Sequence, residues 1–331
     1  MNDRILLPGK LPPELLREVL ETGAAPPPDL LLAPKLGEDA GVVKVSDGAL
    51  VVASDPVTLT GAGVAAHAVL VNANDVAVMG ARPRWFLATV LLPAGTTESA
   101  VRTLFAEMHQ ALKRFDIVLV GGHTEITPAV GQAVVVGQMM GLCRDGRFVR
   151  TGSMRAGDVV LQVGAAPIEG GAVLAQEARG RLHSVAPNLL TAAKRALDEP
   201  GIAVVDAALA ATALGASAMH DPTEGGLSSG LYELAEASGL ALALEEDAVV
   251  WFEPARAVCA ALDVDPWGVL ASGTLLAAFP GALAERAKRA LGERGYAVAA
   301  IARAEPGSGV RLANGTALRR FERDEVARLL G

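Results

Sequence analysis

The sequence predicts a two-domain α/β (α+β) protein built on mixed sheets, and three observations predict it. Apolar runs of strand length alternate with helical periodicity along nearly the whole chain. A hairpin signal stands near the start, and a single cluster of charge, glycine and turn formers interrupts the chain near its middle. The 331 residues allow two domains at roughly 100–200 residues each. A hydrophobic content of 51% with few aromatics suits close helix–sheet packing rather than disorder.

In chain order, "LPPELLREVLETG" reads as a helix opened by Pro12–Pro13 and closed by Gly23. The proline-rich "APPPDLLLAPKLG" is a loop or extended chain. "GVVKVSDGALVVASD" is a hairpin turning at Ser46-Asp47-Gly48. A long helix over 62–80 follows, then the strand "WFLATVLL", the helix "TESAVRTLFAEMHQALKRF" and the strands "IVLVGG" and "AVVVGQMMGL". The cluster "CRDGRFVRTGSMRAGD" sets the boundary between domains 1–150 and 151–331. The second half keeps the same alternation. It runs through strand "VVLQVG", glycine-led helix "IEGGAVLAQEA", a helical region and "MHDPTEGGLSSGLYELAEASG". Strands "LALALEE" and "GTLLAAF", helix "GALAERAKRALGERG" and strand "AVAAIA" follow. The opening hairpin makes the sheets mixed rather than purely parallel.

Composition bounds the function. A formal charge of −8 gives no basic footprint for nucleic acid, so polyphosphates would need glycine-rich donors and a divalent metal. Cys143 and Cys259 are too few for a disulfide framework or zinc site and fit a reducing compartment. The N-terminus has no h-region of signal-peptide length, and the apolar run 206–219 is too short to span a bilayer. The expectation is a cytoplasmic protein with no nucleic-acid or membrane partner.

The stretch "VNANDVAVMGARPRW" carries the chemistry. Val71, Asp75, Val78 and Met79 fall on one helical stripe, so Asp75 shares a face with core residues and needs a partner. Further acidic residues sit at element ends: Glu38 and Asp39 in "GEDAG", Asp55 in "VVASDPV", Glu125 in "GGHTEIT" and Asp221 in "MHDPTEGGL". Gathered carboxylates need cations, and magnesium takes a few carboxylates together with water and phosphate oxygens. Each residue also has a structural reading. Asp39 and Asp55 suit hairpin-flanking turns, Asp75 could pair with Asn72 or a backbone amide, and "GGHTE" suits a strand-to-turn corner. Asp221 or Thr223 would serve as an N-cap, with Pro222 and Glu224 in the first turn. His123 and His220 taken singly suit hydrogen-bonded structural roles. No P-loop, dinucleotide fingerprint, nucleophile elbow or zinc spacing is present. Spacing alone supports an acidic metal–phosphate site and leaves those readings open.

Taken in order and spacing, "GEDAGVV", "SDPV", "NDVAVMGARP", "GGHTEIT" and "HDPTEGGL" resemble the aminoimidazole ribonucleotide (AIR) synthase superfamily over nearly the whole chain. That superfamily also holds thiamine-monophosphate kinase, selenophosphate synthetase and the hydrogenase maturation protein that dehydrates a thiocarboxamide. The resemblance is specific in N-D-x-x-x-x-G-A-x-P and in H-D-P-T-x-G-G-L, and the second, "HDPTEGGL", is similar to the hydrogenase maturation branch and its AIR-synthase-related relatives. The resemblance implies an N-terminal ATP-binding domain whose mixed sheet pairs with that of a second chain into a dimer-wide barrel, and a sandwich-like C-terminal α/β domain. It implies ATP and Mg2+ as cofactors, with Asp39, Asp55 and Asp75 holding magnesium and Asn74 beside them in the motif. Gly121, Gly122 and Thr124 would form the turn lining the nucleotide groove. Asp221 would add a metal-binding carboxylate, with the amides of Gly225 and Gly226 directed at phosphate. The implied candidates for catalysis are His123, Glu125 and His220, the chemistry being transfer of phosphate to an oxygen or selenium nucleophile by positioning and charge neutralisation.

Departures from the pattern narrow the reading. Glu38 stands where an aspartate is usual, His123 stands where the maturation branch carries an acidic residue, and "RFERDEVARLLG" ends the chain without the cysteine that accepts a carbamoyl group there. Three functions follow: an ATP- and magnesium-dependent enzyme acting on an unidentified small molecule, a non-catalytic nucleotide-binding protein docking on a maturation partner, or a small-molecule kinase similar to the thiamine-monophosphate branch. "IEGGAVLA", with Ile168 and Glu169, is expected to border the substrate pocket.

Overall fold

The computed structural model describes residues 15, 28–33, 37–46, 48–58, 63–178 and 180–330. The helix expected over residues 11–23 falls, Leu15 apart, outside the described residues. By internal contacts the described residues fall into two units: those within 28–33 and 39–148, and residue 15 with those within 37–38 and 149–330.

The first unit is one six-stranded sheet. Its elements are β1 (Leu30–Leu32), β2 (Gly41–Val45), β3 (Gly48–Val57), α1 (Val64–Val78), β4 (Arg82–Pro93), α2 (Glu98–Arg114), β5 (Val118–Thr127) and β6 (Val134–Cys143). The strand order is β1-β2-β3-β6-β4-β5, with β4 and β5 parallel and the other pairs antiparallel. The hairpin forms as expected, with Val45 opposite Gly48. Gly48 has φ +131°, and a Cβ there would lie 2.1 Å from the Cys143 carbonyl oxygen, so the turn demands glycine. Within the proline-rich segment, Leu30–Leu32 adds a short edge strand.

The two helices are built differently. In α2 the Thr97 hydroxyl accepts the Ala100 N–H at 3.2 Å as an N-cap. Leu104, Met108, Ala111 and Leu112 then form a single buried stripe. The sequence stripe at Val71, Asp75, Val78 and Met79 is too narrow a description of α1. Every residue from Asn72 to Met79 is buried, so this helix is enclosed on all sides over its last two turns.

Strand alternation gives the sheet two unlike faces. Ala53 on β3, Phe86, Ala88 and Val90 on β4, and Val135 and Met139 on β6 are buried on the face that α1 covers. Leu50, Val52, Leu87, Leu91, Val136 and Met140 alternate with them and stay half-buried on the other face. Helix α1 approaches closest at two glycines. A Cβ on Gly141 would lie 2.5 Å from Val76 Cγ1, and one on Gly137 would lie 2.4 Å from Asn72 Nδ2 and 2.7 Å from Phe86 Cε2.

The second unit carries β7 (Val159–Val163), α3 (Glu169–Glu177), α4 (Pro187–Lys194), α5 (Val205–Leu214), β8 (Ala218–His220), α6 (Gly226–Ser238) and β9 (Ala241–Leu244). It continues with α7 (Glu253–Leu262), β10 (Leu275–Phe279), α8 (Gly281–Gly292), β11 (Val298–Glu305), β12 (Gly309–Leu312) and α9 (Glu325–Leu330). Its sheet runs β12-β9-β11-β7-β10-β8, antiparallel except for β12 with β9. Leu227, Leu231 and Leu234 of α6 pack on Leu242, Leu276 and Ile301 of the sheet. A second cluster joins Leu174 of α3 to Val258 and Leu262 of α7. Among the described residues no helix is long and apolar enough to cross a membrane.

The close approach at Gly137 predicts a cost for any side chain. Gly137→Ala is expected to lower the free energy of urea unfolding by about 1–3 kcal/mol through overpacking. Gly131→Ala, with nothing within 4 Å of its added methyl, serves as the control. A loss no larger than the control's would show that α1 yields to the methyl.

Candidate functional site

In the first unit the expected carboxylates are organised by Asn72, which is fully buried on α1. Its Oδ1 accepts the Asp55 N–H at 2.8 Å, and its Nδ2 donates to the Asp55 carbonyl at 3.1 Å and to the Ala68 carbonyl at 2.8 Å. A buried amide left unbonded would cost about 1–3 kcal/mol, so the clamp stabilises both elements it joins. The sequence suggests Asn72 as a partner for Asp75; in the fold its amide is engaged with the backbone of Asp55. Asp75 lies three positions further along α1, on the same side of the helix as Asn72. Asp55 lies opposite Gly137, and directly opposed residues share a face. Asp55 and Asp75 therefore belong to the α1 side of the sheet. Asp55 is exposed, whereas Asp75 retains 8% exposure beside a fully buried Asn74. Asp39, half-buried, stands two residues before the start of the β2 hairpin strand at Gly41.

"GGHTE" is no corner. Gly121, Gly122, His123, Thr124 and Glu125 all lie within strand β5, at the edge of the sheet and exposed. The ladder with β4 steps from Phe86–Leu119 to Leu87–Gly121, leaving Val120 as the extra residue of a β-bulge. Gly122 takes φ +145°, and a Cβ there would lie 2.0 Å from the Ala88 carbonyl oxygen, so glycine keeps the bulged strand paired. Asp55, Gly137, Ala88 and Gly122 form one row across four strands, which puts Gly122 roughly 14 Å from Asp55 at the usual strand spacing. His123 and Glu125 pair with Thr89 and Leu91, which alternate away from α1. The structure thus places these two candidate catalytic residues on the opposite face from Asp55 and Asp75. Their own pair is loose, with Nε2 and Oε2 3.9 Å apart and both side chains exposed.

In the second unit His220 ends strand β8, and its Nε2 lies 2.8 Å from Oε2 of Glu233 on α6. This pair ties the edge strand to the helix, and Glu233 carries no sequence signal of its own. Asp221 follows at 2% exposure. Neither it nor Thr223 caps α6: the N-cap is Gly225, in left-handed conformation, with no side-chain cap. Gly225 and Gly226 have φ +80° and +69°, and a Cβ on Gly226 would lie 2.4 Å from the Trp267 carbonyl oxygen. The glycine pair is thus demanded by a left-handed turn packed on backbone. Its amides are already engaged, Gly225 N–H donating to Asp324 Oδ2 at 2.7 Å and Gly226 N–H to the Thr223 carbonyl at 3.1 Å. That corrects the expectation that these two amides face phosphate.

The second glycine pair follows the same logic. A Cβ on Gly171 would lie 2.2 Å from Ala255 Cβ, and one on Gly170 would lie 2.5 Å from Val269 Cγ1. Ile168 and Glu169 are buried at this contact. A concavity of about 150 Å3 lies beside Glu233, Tyr232, Arg320 and Gly37, and one of about 450 Å3 lies beside Trp251 and Trp267. Neither is lined by Ile168 or Glu169.

Two further carboxylic acids and two thiols define the electrostatics. Glu38 is committed to Arg150, its Oε1 accepting from Nε at 3.2 Å and Nη2 at 2.9 Å with the side chain 2% exposed. The longer carboxylate at this motif position is therefore an ion-pair member. Asp324 accepts from Gly225 and, through Oδ1, from Val326 N–H at 2.8 Å. Burial pushes its carboxyl up to about 6, the Gly225 and Val326 amides oppose the rise, and Glu224 and Glu169 add to it. The sequence offers a weak signal for Asp324, an aspartate one residue before the acidic start of α9. Burial, with Asp145 adding, pushes Cys143 up to about 11; burial, with Asp265 adding, pushes Cys259 up to about 12. Neither is a thiolate at neutral pH.

Comparisons with known proteins agree with this architecture. The N-terminal domain of AIR synthase related proteins matches residues 37–143, and the C-terminal domain matches residues 155–313. The carbamoyl dehydratase HypE of Rhodobacter capsulatus is 31% identical over 241 residues, covering 72% of this chain and 68% of the relative. Similar solved folds include the hydrogenase maturation protein HypE in complex with ATP (TM-score 0.68, 23% identity, 89% of this chain and 92% of that one). AaThiL complexed with AMPPCP and TMP is similar too (TM-score 0.71, 19% identity, 92% and 93%). So is a HypE–HypF complex (TM-score 0.71, 19% identity, 87% and 94%). With both domains matched in order and two six-stranded mixed sheets beneath them, the chain belongs to the AIR synthase related family.

Proposed function

We propose that the protein is an ATP- and magnesium-dependent enzyme that transfers phosphate to an oxygen of a small-molecule or carbamoyl-type substrate. The observation that carries this reading is the Asn72 clamp, which fixes Asp55 on the side of the sheet where α1 presents Asp75. Carboxylate oxygens are the hard donors that magnesium takes alongside water and phosphate. Magnesium falls to Asp39, Asp55 and Asp75, with Asn74 beside them, and Asp221 has a ligand role of its own in the second unit. Bound magnesium would neutralise the charge of the transferring phosphate. The chain's own task is to hold the carboxylates still and in register, and the buried clamp does that. Domain 1–150 is then the nucleotide-binding domain and 151–331 its C-terminal companion. HypE in complex with ATP and AaThiL complexed with AMPPCP support the nucleotide assignment through shared fold.

A second reading, a nucleotide-binding protein that docks on a maturation partner without turnover, draws on the HypE–HypF complex and on two cysteines that are buried and protonated at neutral pH. It differs in one observable: ATP binds but is not consumed.

Titration calorimetry, followed by an assay for ATP consumption, separates these readings. ATP binding is expected to require magnesium, and Asp75→Ala should weaken it at least about tenfold, equivalent to roughly 1.4 kcal/mol. Binding that ignores magnesium, or an unaltered affinity in the variant, would remove Asp75 from the site.

A homodimer belongs to the same proposal. Strand β5 offers an unpaired edge with Val118, Val120 and Ile126 exposed at 57%, 51% and 51%. The face of the sheet away from α1 carries half-buried Val52, Leu87, Leu91 and Met140. An exposed apolar edge invites pairing with another chain. In sedimentation the wild type should run as a dimer, and Val120→Lys should shift it to monomer without lowering its unfolding midpoint. A monomeric wild type would sink this part of the reading.

A further inference from the structure

Between the end of β8 and the start of α6, five residues, Asp221 to Gly225, make one tight loop. Three contacts hold it. Pro222 packs on Gly230, where a Cβ would lie 2.5 Å from the proline Cβ. The Thr223 carbonyl accepts the Ala271 N–H at 3.2 Å and the Gly226 N–H at 3.1 Å. Gly225 N–H donates to the Asp324 carboxylate at 2.7 Å, across 99 positions of sequence. Asp324 supplies the one ionisable side chain among the three.

The segment that delivers Asp324 is itself fastened along α6. The Leu318 carbonyl accepts the Tyr232 hydroxyl at 2.7 Å, and the Arg319 carbonyl accepts the Ser228 hydroxyl at 2.5 Å. The Arg320 guanidinium lies 3.6 Å from the centre of the Tyr232 ring and 2.6 Å from Glu236. Phe321 fills the space that a side chain on Gly268 would take. The chain after β12 is therefore a strap laid along the helix that carries Glu233, and it ends on the loop that carries Asp221.

We propose that Asp324 is the positioning residue of the Asp221 loop, its carboxylate acting as a fixed acceptor that sets the Gly225 turn and thereby the aim of Asp221. This rests on the reading of Asp221 as a ligand on the phosphate side of the reaction. Asp324 is 7% exposed and faces Glu224 of the loop and Glu169 of α3, while Glu325 beside it is held by Arg328. A buried carboxyl among like charges is an unfavourable choice for packing alone. It suits a place where two backbone N–H groups, from Gly225 and Val326, must be met by one side chain with two acceptor oxygens.

Asp324→Asn divides the two tasks. Asparagine caps a helix as well as aspartate, but it has one acceptor oxygen, so it keeps the Val326 bond and turns an NH2 towards Gly225. Asp324→Ala removes both bonds. In the full-length protein, amide hydrogen exchange across 221–227 should quicken about tenfold in both variants, the scale of one lost hydrogen bond. The Kd for ATP with magnesium should rise by a similar factor. The ATP affinity supplies the readout that simple packing would not move, and the pH profile reports the ionisation of the carboxyl itself. The folded carboxyl, up at about 6 against an ordinary 3.8, holds its proton to higher pH than the unfolded chain does. Wild type should therefore lose stability relative to Asp324→Asn as pH rises from 4 to 7, by on the order of a hundredfold at most in the folding equilibrium constant. Unchanged exchange in both variants would overturn the proposal, as would quickened exchange with an unaltered ATP affinity. If wild type binds no ATP, the functional reading fails, and the exchange measurement alone then decides whether Asp324 sets the loop.

Discussion

The first unit depends on one buried amide. Helix α1 is enclosed on all sides over its last two turns, yet that stretch carries Asn72, Asn74 and Asp75. Such a helix is stable only where its polar groups find fixed partners. Asn72 solves this by bonding both backbone groups of Asp55, which makes α1 behave like a further strand beside β3 at that point. Much of the local design follows from this. The register of α1 on the sheet is set, Gly137 must lack a side chain to admit the amide, and Asp55 is displayed by its backbone with its carboxylate left out of the clamp.

The second unit uses glycine for a different end. Four glycines in two pairs, at 170–171 and 225–226, have the sequence character of backbone opened towards a ligand. Each sits where another element's backbone or side chain comes too near for a Cβ. A helix start is an anion site only while its first amides point outward unbonded. At α6 the Gly225 amide meets Asp324 and the Gly226 amide meets Thr223. Both amides of the turn are thus satisfied within the fold, and in the proposed function the chemistry there would fall to the Asp221 side chain.

Both units separate what a sequence discloses from what it withholds. The order of helices and strands is legible because hydrophobic periodicity is local: the α2 stripe and its Thr97 cap, and the hairpin at Gly48, can be read residue by residue. The faces are harder. His123 and Glu125 sit on the side away from Asp75, and the phase of β5 turns on the bulge at Val120, which no composition rule marks. The carboxylates at Asp55 and Asp75 are legible as an ordered motif, whereas the amide that arranges them is visible in the sequence only with the wrong partner. Glu233 and Asp324 leave almost no trace, because their partners lie 13 and 99 positions away and a single long-range hydrogen bond imposes no pattern on its neighbours.

How four of these acids are held differs in kind. Glu38 is met by the guanidinium of Arg150 and Glu325 by that of Arg328; a fixed cation has taken up their charge, and their work is to hold segments together. Asp324 is met by two neutral amides, which orient the carboxyl without cancelling its charge and so leave it sensitive to pH and to Glu169 and Glu224. Asp55 is held in the clamp by its main-chain N–H and carbonyl. The glutamate at motif position 38 is engaged with Arg150 through Oε1. In the proposed function the charge for a phosphate-bound metal in the first unit would come from the aspartates, and of these Asp55 is positioned through its main chain by the Asn72 amide.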